Sequence, residues 1–367
     1  MVYNFIVTQC AYFHINQGGV PVRLSKQLLL IAIPFLLLSG CGSQPAIQTP
    51  VQQKAASPQV ALVGSPFSLL RQESDKYLKS NRVLAIDAQE VYENAVVNAD
   101  PSYYLVDVRS DEHYAKHHIP GSIHISYADT WRANKTEFLP RDKKIVVIDY
   151  SGHSSSQVAA LWSMMGFDAV AMKHGMAGWS KDKEVIGGSP IPCEPKNFAV
   201  VKDATPAGTH EVPALDLKAS TLQELLQLSA EKATGKTVVI QADDVLAKVT
   251  AKSAFVLDVR ASEHYGAGHI AGAVNIPFRS LTEEENLKKL PSTQQIVVVC
   301  YDGHASSQAT RVLNQLGYDA VAMRDGMSLW TGDISVIGAK AIACTIPERL
   351  TAHLNAPLNP GPSTAAT

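Results

Sequence analysis

The 367-residue chain is poor in several things a reader of sequences looks for first. It has only five cysteines: Cys10, Cys41, Cys193, Cys300 and Cys344. That is too few for a disulfide-built scaffold at this length, so each is read separately. The formal net charge is −2, without the basic excess of a nucleic-acid binder. Aromatics make up 7% of residues, which argues against a stacking surface for single strands. No Lys, Arg, Asp or Glu occurs in residues 1–22. No apolar run is long enough for a spanning helix, which needs about 20 residues. What remains, 46% hydrophobic and 18% charged, is the composition of a soluble globular protein with room for two domains.

The longest apolar run, Leu28 to Leu38, follows Arg23 and Lys26. Its length and basic flank fit the hydrophobic part of a secretory signal. It ends in Leu38-Ser39-Gly40-Cys41, which resembles the lipobox of bacterial lipoproteins. That resemblance implies lipidation at Cys41 after cleavage. A signal peptide is therefore expected over residues 1–40, and a membrane is an expected partner through the lipid. The expected location is the cell envelope, on the periplasmic or extracellular face. The charge-free opening also admits a translation start near Val20, Val22 or Leu24. Gln, Pro, Ala and Ser dominate residues 42–66, so 41–66 reads as a flexible tether.

The rest of the chain is a repeat. Tyr104-Leu105-Val106-Asp107-Val108-Arg109 returns as Phe255-Val256-Leu257-Asp258-Val259-Arg260, an offset that also relates His113 to His264, His153 to His304, Gly175 to Gly326 and Trp179 to Trp330. So dense a match means a duplicated domain. Each copy alternates short β-rich runs with helical stretches, such as Ile145–Ile148 before Ser155–Met165 and Ile296–Val299 before Ser306–Leu316. The expected fold is α/β: two tandem domains, each a parallel sheet with helices on both faces. The expected boundaries are 67–195 for the first copy, 196–218 for a linker with a short helix from Leu222 to follow, 219–348 for the second copy, and 349–367 for a flexible tail.

One loop carries chemistry. Cys300 ends an apolar run and is followed by Tyr301-Asp302-Gly303-His304-Ala305, with Ser306 opening a helix. Sites in parallel sheets lie at such strand ends. Loop amides and the free N–H groups of a helix start can surround a sulfur anion and lower a thiol pKa from about 8.5 toward 6.5. The set Asp258-Val259-Arg260, Glu263, Tyr265, Gly268-His269-Ile270, Gly272-Ala273, Asn275-Ile276-Pro277, Cys300, Gly303 and Ser306, with Gly326-Met327 and Trp330, resembles the rhodanese domain. The resemblance implies a sulfurtransferase. Cys300 would hold sulfane sulfur as a persulfide within a cradle formed by Tyr301, Asp302, Gly303, His304, Ala305 and Ser306. Asp258 and Arg260 would support the loop, or form a purely structural ion pair. The expected partners are a small sulfane-sulfur donor or a persulfide protein, and a thiol or other nucleophilic acceptor. No cofactor, metal or nucleic acid is expected.

Two departures from the family pattern matter. Tyr301 and Asp302 stand where thiosulfate-using members carry basic residues, and Asp302 opposes both an anionic donor and a thiolate. In the first copy Asp149 stands where Cys300 stands, so that copy is expected to be inactive. No arginine lies between Cys300 and Arg311, which disfavours a phosphatase. His113, His117, His118 and His124 read as fold positions rather than metal ligands. Cys193 and Cys344 occupy equivalent places and could form a disulfide; alternatively, Cys344 could resolve a species on Cys300. The rival function is a non-catalytic scaffold lipoprotein of an envelope redox or chalcogen-handling complex.

Overall fold

The computed structural model describes residues 62–188, 190–192 and 194–338. The signal, Cys41, most of the tether, Cys193, Cys344 and the tail lie outside the described residues. Among those that are described, no helix is long and apolar enough to cross a membrane.

Each copy is built on a five-stranded parallel sheet with the same strand order. In the first copy β1 (Ala85–Ile86), β2 (Tyr103–Asp107), β3 (Ile123–His124), β4 (Lys144–Ile148) and β5 (Asp168–Met172) lie in the order β1-β5-β4-β2-β3. In the second β6 (Val239–Ile240), β7 (Phe255–Asp258), β8 (Val274–Asn275), β9 (Ile296–Val299) and β10 (Ala320–Met323) lie in the order β6-β10-β9-β7-β8. The apolar runs are buried on both faces because helices cover both.

Side chains alternate along a strand, and the alternation divides the core. Ile145, Val147, Ile296 and Val298 belong to one large apolar cluster shared by both copies. Val146 and Ile148 turn to a separate cluster in the first copy, and Val297 and Val299 to another in the second. Four helices fill the shared layer: α1 (Pro66–Lys79), α2 (His153–Met164), α3 (Leu222–Thr234) and α4 (His304–Gln315). Ser65 caps α1 by accepting the Ser68 N–H at 3.2 Å, and Thr221 caps α3 by accepting the Glu224 N–H at 3.1 Å.

The two copies are joined by reciprocal bonds as well as by apolar packing. Gln157 of α2 donates to the Val238 carbonyl at 3.3 Å, and Gln308 of α4 donates to the Leu84 carbonyl at 2.8 Å. The stretch read as a linker carries no helix or strand before α3, yet it is laid along the second copy. Lys196 and Phe198 donate to the Leu329 and Trp330 carbonyls, and Val201 bridges His269.

Arg311 is 1% exposed in this shared layer. Its Nη2 donates to the Tyr127 hydroxyl at 2.9 Å, and no acidic side chain pairs with it among the described residues. A buried cation without a counter-charge is costly. Arg311→Met is therefore expected to hold or raise stability, by up to about 2 kcal/mol in denaturant titration. A loss of more than about 1 kcal/mol would mean that the guanidinium is compensated after all.

Candidate active site

The strand alternation that places Ile296 and Val298 in the shared layer puts Cys300 there too, and puts Asp149 there in the first copy. Each residue is 1% exposed. The helix that follows opens at His153 or His304, two residues earlier than the serines suggested. Its N-cap is Gly152 or Gly303, with no side-chain cap, so the first N–H groups of the helix remain available to the loop. Gly303 has φ +91°, a conformation that favours glycine.

The loop is held by the glycine turn that follows the last strand. Met327 N–H donates to the Cys300 carbonyl at 2.8 Å and Ser328 N–H to the Tyr301 carbonyl at 2.9 Å. A Cβ on Gly326 would lie 2.5 Å from the Cys300 carbonyl oxygen, so only glycine permits this approach. The same turn in the first copy brings Met176 N–H to the Asp149 carbonyl at 2.7 Å.

Around the sulfur the expected cradle is only partly engaged. Gly303 N–H donates to Sγ at 3.1 Å, and the thiol lies 3.2 Å from the Ser306 hydroxyl oxygen. The His304 N–H goes instead to Asp302 Oδ1 at 3.3 Å, and the His304 ring faces the same carboxylate. Burial and then the Asp302 charge push the Cys300 thiol up to about 11, against the opposing pull of Ser306 and the loop amides. This overturns the expectation of a thiol lowered toward neutrality: desolvation of the anion outweighs two or three donors. Burial also works against the Asp302 charge, but the His304 ring and N–H outweigh it and hold that carboxyl well below its usual range.

In the first copy the loop already holds a carboxyl group, whose ionisation burial opposes and the loop donors favour, burial being the larger effect. Asp149 Oδ1 accepts the Gly152 N–H at 2.6 Å and the Ser155 hydroxyl at 2.9 Å, while Oδ2 accepts the Ser154 N–H at 2.8 Å. The equivalent groups in the second copy are Gly303 N–H, Ser306 hydroxyl and Ala305 N–H. The carboxylate thus occupies two positions of which the bare thiol fills one.

Asp258 and Arg260 stand beneath this site rather than in the cradle. Register pairs Asp258 with Val299, the residue before Cys300. Arg260 binds both Asp258 oxygens, at 3.0 Å from Nε to Oδ1 and 2.6 Å from Nη2 to Oδ2. It also ties down the Val336 and Gly268 carbonyls, at 2.7 and 2.9 Å. It meets the loop at the Tyr301 ring, 6.0 Å from its centre, and the Tyr301 hydroxyl is set by His264 Nδ1 at 2.6 Å. The first copy repeats the framework, with Arg109 on Asp107 and Tyr150 on His113. His118 is tied to the Tyr114 carbonyl at 2.8 Å and His124 to the Arg109 carbonyl at 2.9 Å. No three His, Cys, Asp or Glu side chains converge as a metal site among the described residues.

The sequence alone does not show the groups that reach this site from the other copy. His153 Nε2 accepts the Asp325 N–H at 3.2 Å, and His304 Nε2 accepts the His174 N–H at 3.2 Å. The one signal for them is the recurrence of Gly-His in both loops.

Two stretches match the rhodanese-like domain, residues 87–182 and 241–333, together about half of the chain. The chain belongs to the rhodanese-like family. It is 39% identical over 83 residues to the sulfurtransferase-named YtwF of Bacillus subtilis, an alignment covering 23% of this chain and 79% of that protein. It is 32% identical over 71 residues to thiosulfate sulfurtransferase PspE of Escherichia coli, covering 19% and 68%. Among solved structures, a rhodanese-related protein of Thermoplasma volcanium is 32% identical, with TM-score 0.23, covering 26% of this chain and 89% of that one. A thiosulfate sulfurtransferase of Pseudomonas aeruginosa is 18% identical, with TM-score 0.26, covering 76% and 49%. Two parallel sheets flanked by helices are the fold expected of tandem rhodanese-like domains.

Proposed function

We propose that this protein is a sulfurtransferase that carries sulfane sulfur as a persulfide on Cys300, and that only the second copy does so. Membership of the rhodanese-like family and the sulfurtransferase relatives support sulfur transfer in general. The observation that carries the finer reading is the Asp149 carboxylate in the first copy. Its two oxygens take two backbone N–H groups and a hydroxyl, which supports a loop with donors enough for a two-atom anion. A persulfide on Cys300 is such an anion, with an S–S bond of about 2.05 Å carrying the terminal sulfur beyond Sγ. Sulfur uptake turns a thiol that burial keeps neutral into a group that uses the whole cradle.

In the reaction, the Cys300 sulfur attacks the outer sulfur of a donor, and the donor's remainder leaves with the bonding pair. An acceptor nucleophile then takes the terminal sulfur and returns the thiolate. Asp302 disfavours the dianion thiosulfate, which leaves a persulfide, polysulfide or protein donor open, the protein donor being the one its charge opposes least. A lipid on Cys41 would hold this chemistry at the cell envelope, outside the cytoplasm.

The burial of the thiol favours the scaffold alternative, as do Asp302 beside it and the missing cysteine of the first copy. Intact mass after incubation with polysulfide separates the two. A sulfurtransferase gains one sulfur, loses it to cyanide, and gains none as Cys300→Ser. A scaffold gains none in either form.

A further inference from the structure

We propose that His153, in the copy without a nucleophile, is a positioning residue for the Cys300 loop. The proposal rests on the reading of Cys300 as the reacting thiol, and it gives the first copy a part in the second copy's chemistry.

The chain of contacts is short. His153 Nε2 accepts the Asp325 N–H at 3.2 Å. Asp325 opens the turn whose next N–H groups, of Met327 and Ser328, pin the Cys300 and Tyr301 carbonyls. A trans peptide points its N–H opposite to its carbonyl. With the Tyr301 carbonyl pinned to the turn, the Asp302 N–H is directed at the thiol, where it helps to counter burial. His153 therefore anchors, from the neighbouring copy, the turn that keeps the loop amides facing the sulfur.

The same ring also presses on the loop directly. A Cβ on Gly303 would lie 2.4 Å from His153 Nε2, and the Gly303 N–H is the donor 3.1 Å from Sγ. Its acceptor role requires Nε2 to carry no proton, which leaves Nδ1 to face the Ser151 hydroxyl at 3.0 Å. Burial and the neighbouring His304 ring keep His153 neutral by holding it well below its usual range.

The arrangement is reciprocal. His304 accepts the His174 N–H and packs against Gly152, 2.6 Å from the position of an added Cβ. His174 in turn opens the turn that pins the Asp149 and Tyr150 carbonyls. The first loop thus retains its histidine and its turn without a cysteine to serve, and the half of the clasp that meets the cysteine-bearing loop is His153.

The test compares His153→Leu with His153→Gln, whose amide oxygen can accept where Nε2 does, in the otherwise intact protein. The readout is the pH profile of Cys300 alkylation by iodoacetamide, followed on its own peptide. The Leu variant is expected to shift the profile to higher pH and to alkylate severalfold more slowly at pH 8, because the turn no longer holds the loop amides on the thiol. The Gln variant should keep the wild-type profile. A folded Leu variant with the wild-type profile would overturn the proposal. Should the Leu variant not fold, amide exchange in the wild type decides: a protected Asp325 N–H supports the bond, and exchange at the rate of an open amide refutes it. Alkylation needs no sulfur transfer. A shifted profile in a protein that takes up no sulfur therefore keeps the positioning role while removing the carrier reading.

Discussion

Asp149→Cys is expected to take up two sulfur atoms per chain where the natural protein is expected to take up one. The first loop already binds the Asp149 carboxyl group through the Gly152 and Ser154 N–H groups and the Ser155 hydroxyl, so a thiolate or persulfide at position 149 would meet donors in place. Its surroundings are also more favourable than those of Cys300. Ser151 stands where the second loop has Asp302, so no carboxylate two residues on opposes the anion. The new thiol should be more acidic than Cys300 and should be sulfurated at lower pH. Intact mass after polysulfide treatment reads the stoichiometry directly. A variant that alkylates at position 149 yet stays at one sulfur would show that the first loop has lost more than its nucleophile.

Asp302→Asn should make Cys300 react faster, most of all with an anionic donor. With the thiol pushed up to about 11, roughly one molecule in ten thousand is thiolate at pH 7. The rate of alkylation should then rise about tenfold per pH unit up to that value. Removing the Asp302 charge takes away the second of the two causes that raise the thiol and leaves burial, the larger one, in place. If the charge accounts for about one pKa unit, the thiolate fraction at neutral pH rises about tenfold and the whole profile moves down by that unit. Thiosulfate should gain more than a neutral alkylating agent, because it also loses a repelling neighbour. Equal gains for both would mean that Asp302 acts on the thiol alone. No gain for either would mean that hydrogen bonding from the His304 N–H and ring, both 3.3 Å from Asp302 Oδ1, already masks its charge.

The parts of the fold that repeat are legible in the sequence itself. The Asp-Val-Arg triplet, the apolar runs that form β2, β4, β7 and β9, and the glycine-bearing loop after β9 recur at one offset, and their pattern is local. The cradle donors are readable as backbone geometry, though not how few of them a bare thiol engages. That shortfall lies at the Ala305 N–H, whose counterpart at Ser154 reaches the second oxygen of Asp149, a matter of the size of the bound group that a residue string does not show. Asp258 and Arg260 lie beneath the loop, where Arg260 touches the Tyr301 ring and the Gly268 and Val336 carbonyls rather than the sulfur. What a linear reading does not reach is everything set by one copy lying on the other: α1 and α3 in a shared layer, Gln157 and Gln308 exchanging bonds, Arg311 buried without a counter-charge, and His153 on the Asp325 amide. Each of these joins residues more than 80 apart in sequence.

Where sulfur resides on the chain decides between a carrier and a scaffold. Peptide mapping after brief exposure to polysulfide, with the persulfide trapped by alkylation, assigns the added sulfur to a residue. It is expected on the peptide carrying Cys300, and nowhere in Cys300→Ser. Sulfur found on Cys193 or Cys344 with Cys300 unmodified would contradict the assignment of Cys300 as the carrier.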